Sequence, residues 1–495
     1  MTSVATVTIA DALERAGLLV SCDTSLPATV TAIADDSRNV GRGGLFVAVR
    51  GSGLDGHDFL DAAANAGATA AIVEDAARTA LPALVVREGR RAAAIAAAAF
   101  YGDPARAMRF VGVTGTNGKT TTVGMVRHLL DDADAPSASI GTLGVLVGSD
   151  GEELPGGAGL TTPGPVELQR VLRALSDRGV RTVAMEVSSH ALEQRRVEGI
   201  QFDAAVFTNL TRDHLDYHGT MAAYLQAKAR LLDLLSPRGT AVVNADDRAW
   251  DALPPTANAI RFSCTSAPAD VRAEDVRFEP EGSWWRIVTP AGAWPLTLPL
   301  IGDFNITNAL GAAAAAFALG RPLEEIASRL STMPQVPGRL EIVGRHPTVL
   351  RDYAHTPDAL ERALSALRPF TAGRLVVLFG AGGDRDRGKR PLMAEVAHRL
   401  ADIVVVTSDN PRTEDPERIL DEITAALPAG SFERIEDRRS AIARAIALAD
   451  PTRDVVLLAG KGHETYQIRG TTKLPFDERL IVAELFAARA AEHRT

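Results

Sequence analysis

The sequence predicts an α/β protein of three domains built on parallel sheets, and three observations predict it. First, short runs rich in Val, Ile and Leu, such as GLFVAV at 44–49, alternate with Ala-rich runs such as AAAIAAAA at 92–99. An unbroken apolar run bounded by turn residues reads as a strand covered on both faces, and Ala is the best helix former. Second, a glycine-rich stretch, GVTGTNGKTTTVGMV at 112–126, stands between one such strand and a helix. Third, several strands end in polar residues, and in open parallel sheets ligands gather beyond the carboxyl ends of the strands.

The remaining composition narrows the class. A chain of 495 residues is long enough for about three domains that each bury a core. Hydrophobic residues at 46% and charged residues at 23% mark a globular chain rather than a disordered or fibrous one. A net charge of -9, with scattered basic residues, disfavours nucleic acid as a partner. Cys22 and Cys264 match no metal or redox spacing, which indicates a reducing compartment without a structural disulfide. There is no basic leader followed by an apolar core and no apolar run of about 18 residues, so the expected location is cytoplasmic, with no membrane association.

Taken in order, residues 1–103 hold the strands GLFVAV, AAIV and LVV between Ala-rich helices, and YGDP at 101–104 closes this first domain. The second, 104–337, opens with the strand RFVGVTG, a turn over Gly115–Thr120 and a helix over TTTVGMVRHLL. Its further strands RTVAMEV, AAVFTNL and TAVVNAD should bring Glu186, Asn209 and Asn244 near that turn. The third, 338–495, follows MPQVPGR and carries the strands LVVLFG, IVVVTS and VVLLAG, again separated by helices.

Strand, glycine-rich turn and helix in that order make a phosphate loop. Backbone N–H groups of the turn and the helix N-terminus point at an anion, Lys119 reaches the terminal phosphates, and the Thr120 hydroxyl is placed for Mg²⁺. The strict pattern has a glycine where this chain has Val113. In MEVSSH the carboxylate of Glu186 arrives at the same sheet edge with Ser188, Ser189 and His190, as a metal ligand or as an ordinary strand-end residue. In TNLTRDHLDYHG, Asp213, His214, Asp216 and His218 crowd one loop, either around a metal or as caps and turns. On a wheel of about 100° per residue, Tyr224, Leu231 and Leu235 fall within about 20° of one direction and Lys228 lies about 40° from it, inside the apolar stripe. There it either snorkels to the rim or is a desolvated amine reactive toward CO₂, whose carbamate would be a metal-binding carboxylate. The third domain has four polar loops: Asp352 to His355, GAGGDRDRGKR with Arg385 and Lys389, DNPR at 409–412, and AGKGHE at 459–464.

TGTNGKT, MEVSSH, NLTRDHLDYH, GDFNITNAL, PGRLE, DYAHTPDAL and DNPR, in this order from about residue 35 to 480, resemble the Mur ligases, which build the peptide of bacterial cell-wall precursors. TGTNGKT is that family's usual loop, so Val113 is no departure from it. The resemblance implies an N-terminal UDP-binding domain, a central P-loop ATPase-type domain and a C-terminal Rossmann-like domain for the incoming amino acid. It implies ATP and Mg²⁺ as cofactors and an acyl-phosphate route to an amide. Gly115, Thr116, Asn117, Gly118, Lys119, Thr120, Thr121, Asn305, Arg339, Asp352 and His355 would bind ATP. Lys119, Glu186, His214 and Lys228 would be catalytic, and Thr120, Glu186, His214 and Lys228 as its carbamate (N6-carboxylysine) would hold metal. Ser37, Thr161, Thr162, Ser188, Gln194 and Arg196 would bind a UDP-N-acetylmuramoyl dipeptide. Arg385, Asp409, Asn410, Pro411, Arg412, Gly460 and Glu464 would bind meso-diaminopimelate, since lysine-using members generally lack the arginine of DNPR. A monomer is expected. The rival readings are the same reaction with L-lysine, a folylpolyglutamate synthase-like ligase, and a P-loop ATPase that acts as a switch.

Overall fold

The computed structural model describes residues 3–51, 53–157, 159–265, 269–279 and 282–492. The chain forms two compact units: Met1–Arg272 with Val288–Ala293 and Thr307–Arg329, and Ala273–Ile287 with Trp294–Ile306 and Leu330–Thr495.

The first unit begins with a five-stranded sheet made of β1 (Leu19–Cys22), β2 (Ala32–Ala34), β3 (Gly44–Val47), β4 (Ala68–Val73) and β5 (Ala83–Val86), in the order β1-β5-β4-β3-β2. Only β1 runs antiparallel to its neighbour. Helices α1 (Thr6–Arg15) and α2 (Gly89–Phe100) cover one face, with Ile9 and Leu13 of α1 against Ala92, Ala93, Ala96 and Ala97 of α2. The small alanine side chains let the two helices approach closely. YGDP lies between α2 and the next strand, with Asp103 in the left-handed region at φ 51°.

A larger sheet follows. Its elements are β6 (Arg109–Thr114), α3 (Lys119–Leu130), β7 (Ser137–Gly141), β8 (Gly144–Val147), β9 (Glu152–Leu154), α4 (Pro165–Asp177), β10 (Thr182–Glu186), α5 (Ser189–Glu193), β11 (Phe202–Phe207), α6 (Leu215–His218), α7 (Met221–Ala229), β12 (Leu235–Asn244) and β13 (Ala259–Ser263). The order is β9-β8-β7-β10-β6-β11-β12-β13, parallel from β7 onward. Phe110, Phe202, Phe207 and Trp250 fill its core. Gly112 on β6 is needed there, because a Cβ would sit 2.8 Å from the Phe202 ring. The helix after the phosphate loop begins at Lys119, one residue before the expected Thr120. Helix α7 stops at Ala229, so the wheel that included Leu231 and Leu235 extended it too far. Leu235 instead opens β12, where it pairs with Phe202. Leu231 is nevertheless fully buried. The strands Val271–Glu279, Gly282–Thr289 and Gly292–Leu298 were not anticipated from the sequence.

Helix α8 (Phe304–Ala318) precedes the second unit's six-stranded sheet. That sheet is built from β14 (Glu341–Gly344), β15 (Thr348–Asp352), α9 (Pro357–Leu367), β16 (Leu375–Phe379), α10 (Lys389–Leu400), β17 (Ile403–Val406), α11 (Pro416–Thr424), β18 (Glu433–Arg434), α12 (Arg438–Leu448) and β19 (Val455–Ala459). A two-stranded hairpin, β20 (Tyr466–Arg469) and β21 (Thr472–Pro475), and helix α13 (Glu478–Glu492) end the chain's described part. The strand order is β14-β15-β19-β16-β17-β18, with only β14 antiparallel. Alternate side chains point to opposite faces: Leu375, Val377 and Phe379 pack with α9, α10 and α11, while Val376 and Leu378 pack with α12 and α13. Both faces are covered, which is why LVVLF and VVLLA are apolar at every position. Among the described residues no helix is long and apolar enough to cross a membrane.

Candidate functional site

The phosphate loop is held in shape by the end of β11. Thr208 Oγ1 donates to the Asn117 carbonyl at 2.7 Å, the Asn117 N–H donates to Asn209 Oδ1 at 2.9 Å, and the Thr116 N–H donates to the Asn209 carbonyl at 2.7 Å. Gly115 (φ 148°) and Gly118 (φ 83°) are obligatory: a Cβ on the first would run into Thr208 Oγ1, and on the second into Asn308 Oδ1 of α8. Lys119 folds back over the loop, donating to the carbonyls of Gly115 at 2.9 Å and Thr116 at 2.7 Å. Thr120 and Thr121 are buried at the start of α3. Asn244 lies one strand away, where its Nδ2 donates to the Thr208 carbonyl at 2.7 Å. It therefore braces the loop's support rather than the loop.

Lys228 does not snorkel. It is 1% exposed, lies 4.5 Å from the centre of the Tyr224 ring, and donates to the Gly115 carbonyl at 2.7 Å, the same oxygen that Lys119 uses. Burial first, then the charge of Lys119, pushes its amine well below the ordinary lysine range, with Asp213 acting the other way. A desolvated, neutral amine is a nucleophile toward CO₂.

Glu186, at the end of β10, is also buried. Its Oε1 accepts from the Thr142 N–H at 2.8 Å and its Oε2 from the Thr142 hydroxyl at 3.2 Å. The Thr142 hydroxyl is 3.4 Å from that of Thr161. Thr162 donates to the Glu186 carbonyl at 2.8 Å and lies 3.3 Å from Ser188 Oγ, which in turn caps α5. Arg196 reaches the Thr162 carbonyl at 2.9 Å and Gln194 Oε1 at 2.7 Å, and Gln194 donates to the Tyr217 hydroxyl at 3.1 Å. Thr161, Thr162, Ser188, Gln194 and Arg196 thus form one connected set around Glu186. Ser37 stands apart, in a single helical turn capped by Asp36, but the neighbouring Asp35 feels the Arg196 charge.

His214, at φ 53° before α6, is 3.4 Å from Asp213, and its ring centre lies 4.8 Å from that of His190. His218 hydrogen-bonds Ser189 Oγ at 2.9 Å. Burial and the charges of His214 and His218 hold His190 down at about 4. Among the described residues no three His, Cys, Asp or Glu side chains cluster around a metal position. Of the four residues expected to hold a metal, Thr120, Glu186 and His214 carry oxygen or imidazole donors, whereas Lys228 would offer an oxygen only as a carbamate.

The second unit gathers its polar loops at strand ends. Asp352, ending β15, accepts from the Leu340 N–H at 2.7 Å; burial raises its carboxyl, and the Arg339 charge opposes that rise. Arg339 stacks 5.1 Å from the Tyr353 ring centre. His355 Nδ1 faces the Tyr353 carbonyl at 2.8 Å, and burial lowers its imidazole. Asn305 is buried, donating to the Ile301 carbonyl at 2.8 Å. After β16, β17 and β19 come the residues expected for an amino acid. Arg412 (φ 52°) donates to the Gly383 carbonyl at 2.7 Å, and a Cβ on Gly382 would lie 2.9 Å from Arg412 and 3.7 Å from Arg385, so both arginines border Gly382. The Asn410 amide donates to Glu464 Oε2 at 2.9 Å, and Gly460 (φ 118°) lies against Asp409. Pro411 carries the turn, its carbonyl close against Gly383.

Two residues at these sites were not singled out from the sequence. Thr142, the partner of Glu186, follows a strand that carries no motif. Lys461 lies inside AGKGHE between two glycines, a position that pointed to it, and it is fully buried beside Asp409, Asn410 and Glu464.

Three family models match the chain: "Mur ligase family, catalytic domain" over residues 29–106, "Mur ligase middle domain" over 113–316, and "Mur ligase, glutamate ligase domain" over 338–462. A protein of Synechococcus elongatus named UDP-N-acetylmuramoyl-L-alanyl-D-glutamate--2,6-diaminopimelate ligase is 48% identical over 473 residues, covering 92% of this chain and 93% of that protein. A protein of the same name from Geobacter metallireducens is 46% identical, covering 93% and 95%. A solved structure of a ligase with that name is 33% identical with a TM-score of 0.69, covering 95% of this chain and 98% of its own. The folylpolyglutamate synthase of Mycobacterium tuberculosis, solved with ADP and AMPPCP, shares the fold at 22% identity and a TM-score of 0.64, and covers 75% of this chain.

Proposed function

The chain belongs to the Mur ligase family, and on that premise we propose that it joins meso-2,6-diaminopimelate to the D-glutamate of UDP-N-acetylmuramoyl-L-alanyl-D-glutamate at the expense of ATP, a step of peptidoglycan precursor synthesis. The γ-phosphate passes to the glutamate carboxylate, giving an acyl phosphate and ADP. The diaminopimelate amine then attacks that carbonyl, phosphate leaves, and the amine loses a proton as the amide forms.

In this reading the amides of Gly115 to Thr121 and the Lys119 ammonium hold the phosphates and offset charge that builds as the γ-phosphoryl leaves. Asn305, Arg339, Asp352 and His355 bind the rest of the nucleotide. Ser37 contacts the UDP part, and Thr161, Thr162, Ser188, Gln194 and Arg196 orient the dipeptide so that its carboxylate lies in line. Mg²⁺, held by Thr120, Glu186, His214 and carbamylated Lys228, would supply charge neutralisation between nucleotide and carboxylate. Arg385, Asp409, Asn410, Pro411, Arg412, Gly460 and Glu464 receive the diamino acid. We take the protein to be a cytoplasmic monomer with domains at 1–103, 104–337 and 338–495.

The observation that supports the amino-acid choice is the grouping of Arg385 and Arg412 with Asp409 and Glu464 after three neighbouring strands, charges of both signs suited to an amino acid's carboxylate and ammonium. The deciding experiment measures ATP turnover with each substrate omitted in turn. Release of ADP at an undiminished rate with neither the nucleotide-sugar dipeptide nor an amino acid present would contradict a ligase.

A further inference from the structure

We propose that Lys461 is a positioning residue for the diamino acid: its ammonium fixes the Asn410 amide and the Glu464 carboxylate in the orientation that receives the substrate's distal amino-acid group. This rests on the function proposed above. Lys461 is 0% exposed, so it does not itself meet a ligand entering from solvent. A lysine ammonium is rarely buried without partners, and here the partners are the substrate-facing residues. Its Nζ lies 3.1 Å from Asn410 Oδ1, 3.2 Å from Glu464 Oε2 and 3.6 Å from Asp409 Oδ1.

The consequence for Asn410 is directional. Its Oδ1 accepts from Lys461 Nζ and from the Ile468 N–H at 2.9 Å, which leaves Nδ2 to donate to Glu464 Oε2 at 2.9 Å. Turning the amide over would set its NH₂ against an ammonium and a backbone N–H, three donors with no acceptor. Glu464 is anchored in turn, because the bonds from Asn410 and Lys461 fall on one oxygen, Oε2. The ammonium also offsets the repulsion between the Asp409 and Glu464 carboxylates. Its own place is set by the neighbouring Gly462 (φ 54°), where a Cβ would lie 2.7 Å from that of Tyr353, and by the Tyr466 and Phe476 rings, each 5.9 Å from Nζ.

The test uses Lys461→Met in the full chain, which keeps most of the stem and removes the charge. Initial rates are measured with ATP, nucleotide-sugar dipeptide and meso-diaminopimelate varied in turn. The KM for diaminopimelate should rise at least about thirtyfold, while the other two KM values stay within about threefold. An unchanged diaminopimelate KM, or equal rises in all three, would overturn the proposal. Lys461→Gln, neutral but still a donor, should show the same split at smaller size if Lys461→Met does not fold. Failure of both to fold would also overturn it, by assigning the ammonium to stability. No diaminopimelate-dependent turnover in the unsubstituted protein would instead remove the function on which it rests.

Discussion

Lys228 concentrates the chemistry of the first unit in one side chain. A buried amine that shares the Gly115 carbonyl with Lys119 is poorly placed as a cation, and the proposed role is that of a carbamate. Lys228→Ala should therefore lose at least about a hundredfold in rate and regain part of it with added short carboxylates, which can replace the carbamate as a metal ligand. A near-normal rate would refute the role. Arg412 is the residue proposed to select the amino acid. Diaminopimelate differs from lysine by a carboxylate on the far carbon, which a planar guanidinium can bind through two parallel charge-assisted hydrogen bonds. The kcat/KM for meso-diaminopimelate should exceed that for L-lysine at least about a hundredfold, and Arg412→Ala should lose mainly diaminopimelate use. Comparable rates with both amino acids in the unsubstituted enzyme would refute this selectivity and leave the ligase reading intact. His463 carries a pH effect. Burial, with Arg339 and Arg351 adding to it, lowers its imidazole to about 4, and its Nδ1 is buried without a hydrogen bond among the described residues. Between about pH 6.5 and 4 the unfolded chain binds a proton that the native state refuses, so stability falls as pH falls through that window, by up to about 3 kcal/mol. Urea midpoints of His463→Gln should fall less steeply there than those of the unsubstituted protein; parallel curves would contradict this.

At the level of elements, the phosphate loop depends on two glycines and the strand beside it. Gly115 and Gly118 both adopt positive φ, and both lack room for a Cβ, against Thr208 of the β11 end and Asn308 of α8 respectively. Gly118→Ala should weaken ATP binding at least about a hundredfold by tilting the loop's N–H groups. Calorimetric titration with an unhydrolysable ATP analogue measures this, and unchanged affinity would show that the loop tolerates the shift. The elements themselves were largely readable. β6, β10, β11, β16, β17 and β19 overlap the apolar runs read from the sequence, whereas β12 begins at Leu235, ahead of the run TAVVNAD. The Lys228 helix was read too long, since a wheel extends any apolar spacing and cannot register that Leu235 is committed to pairing with Phe202. Strands over 271–298 went unread because partly exposed strands mix polar with apolar residues and give a weaker pattern than strands buried on both faces.

For the whole molecule, the residues expected at the phosphate loop and the acceptor lie in the first unit, and those expected for the amino acid lie in the second. A ligase of this kind should release ADP at an appreciable rate only when acceptor and amino acid are both present. A P-loop switch would hydrolyse ATP with neither. Product analysis should find one amide formed per ADP, and a marked excess of ADP would argue that the acyl phosphate leaks to water.

By itself the sequence determined the parallel α/β class, the phosphate loop and the grouping of motif residues at strand ends, because these rest on local properties: periodicity, glycine freedom and helix start signals. It also placed Lys228 on the apolar side of its helix. Only the tertiary structure decided that this lysine is sealed beside Lys119, since burial depends on what packs across from a residue. The same holds for the Thr142–Glu186 bond and for the contact of Lys461 with Asn410, whose partners are 44 and 51 residues apart. Such pairings follow from how strands are ordered in a sheet, and no local pattern in the chain encodes that order.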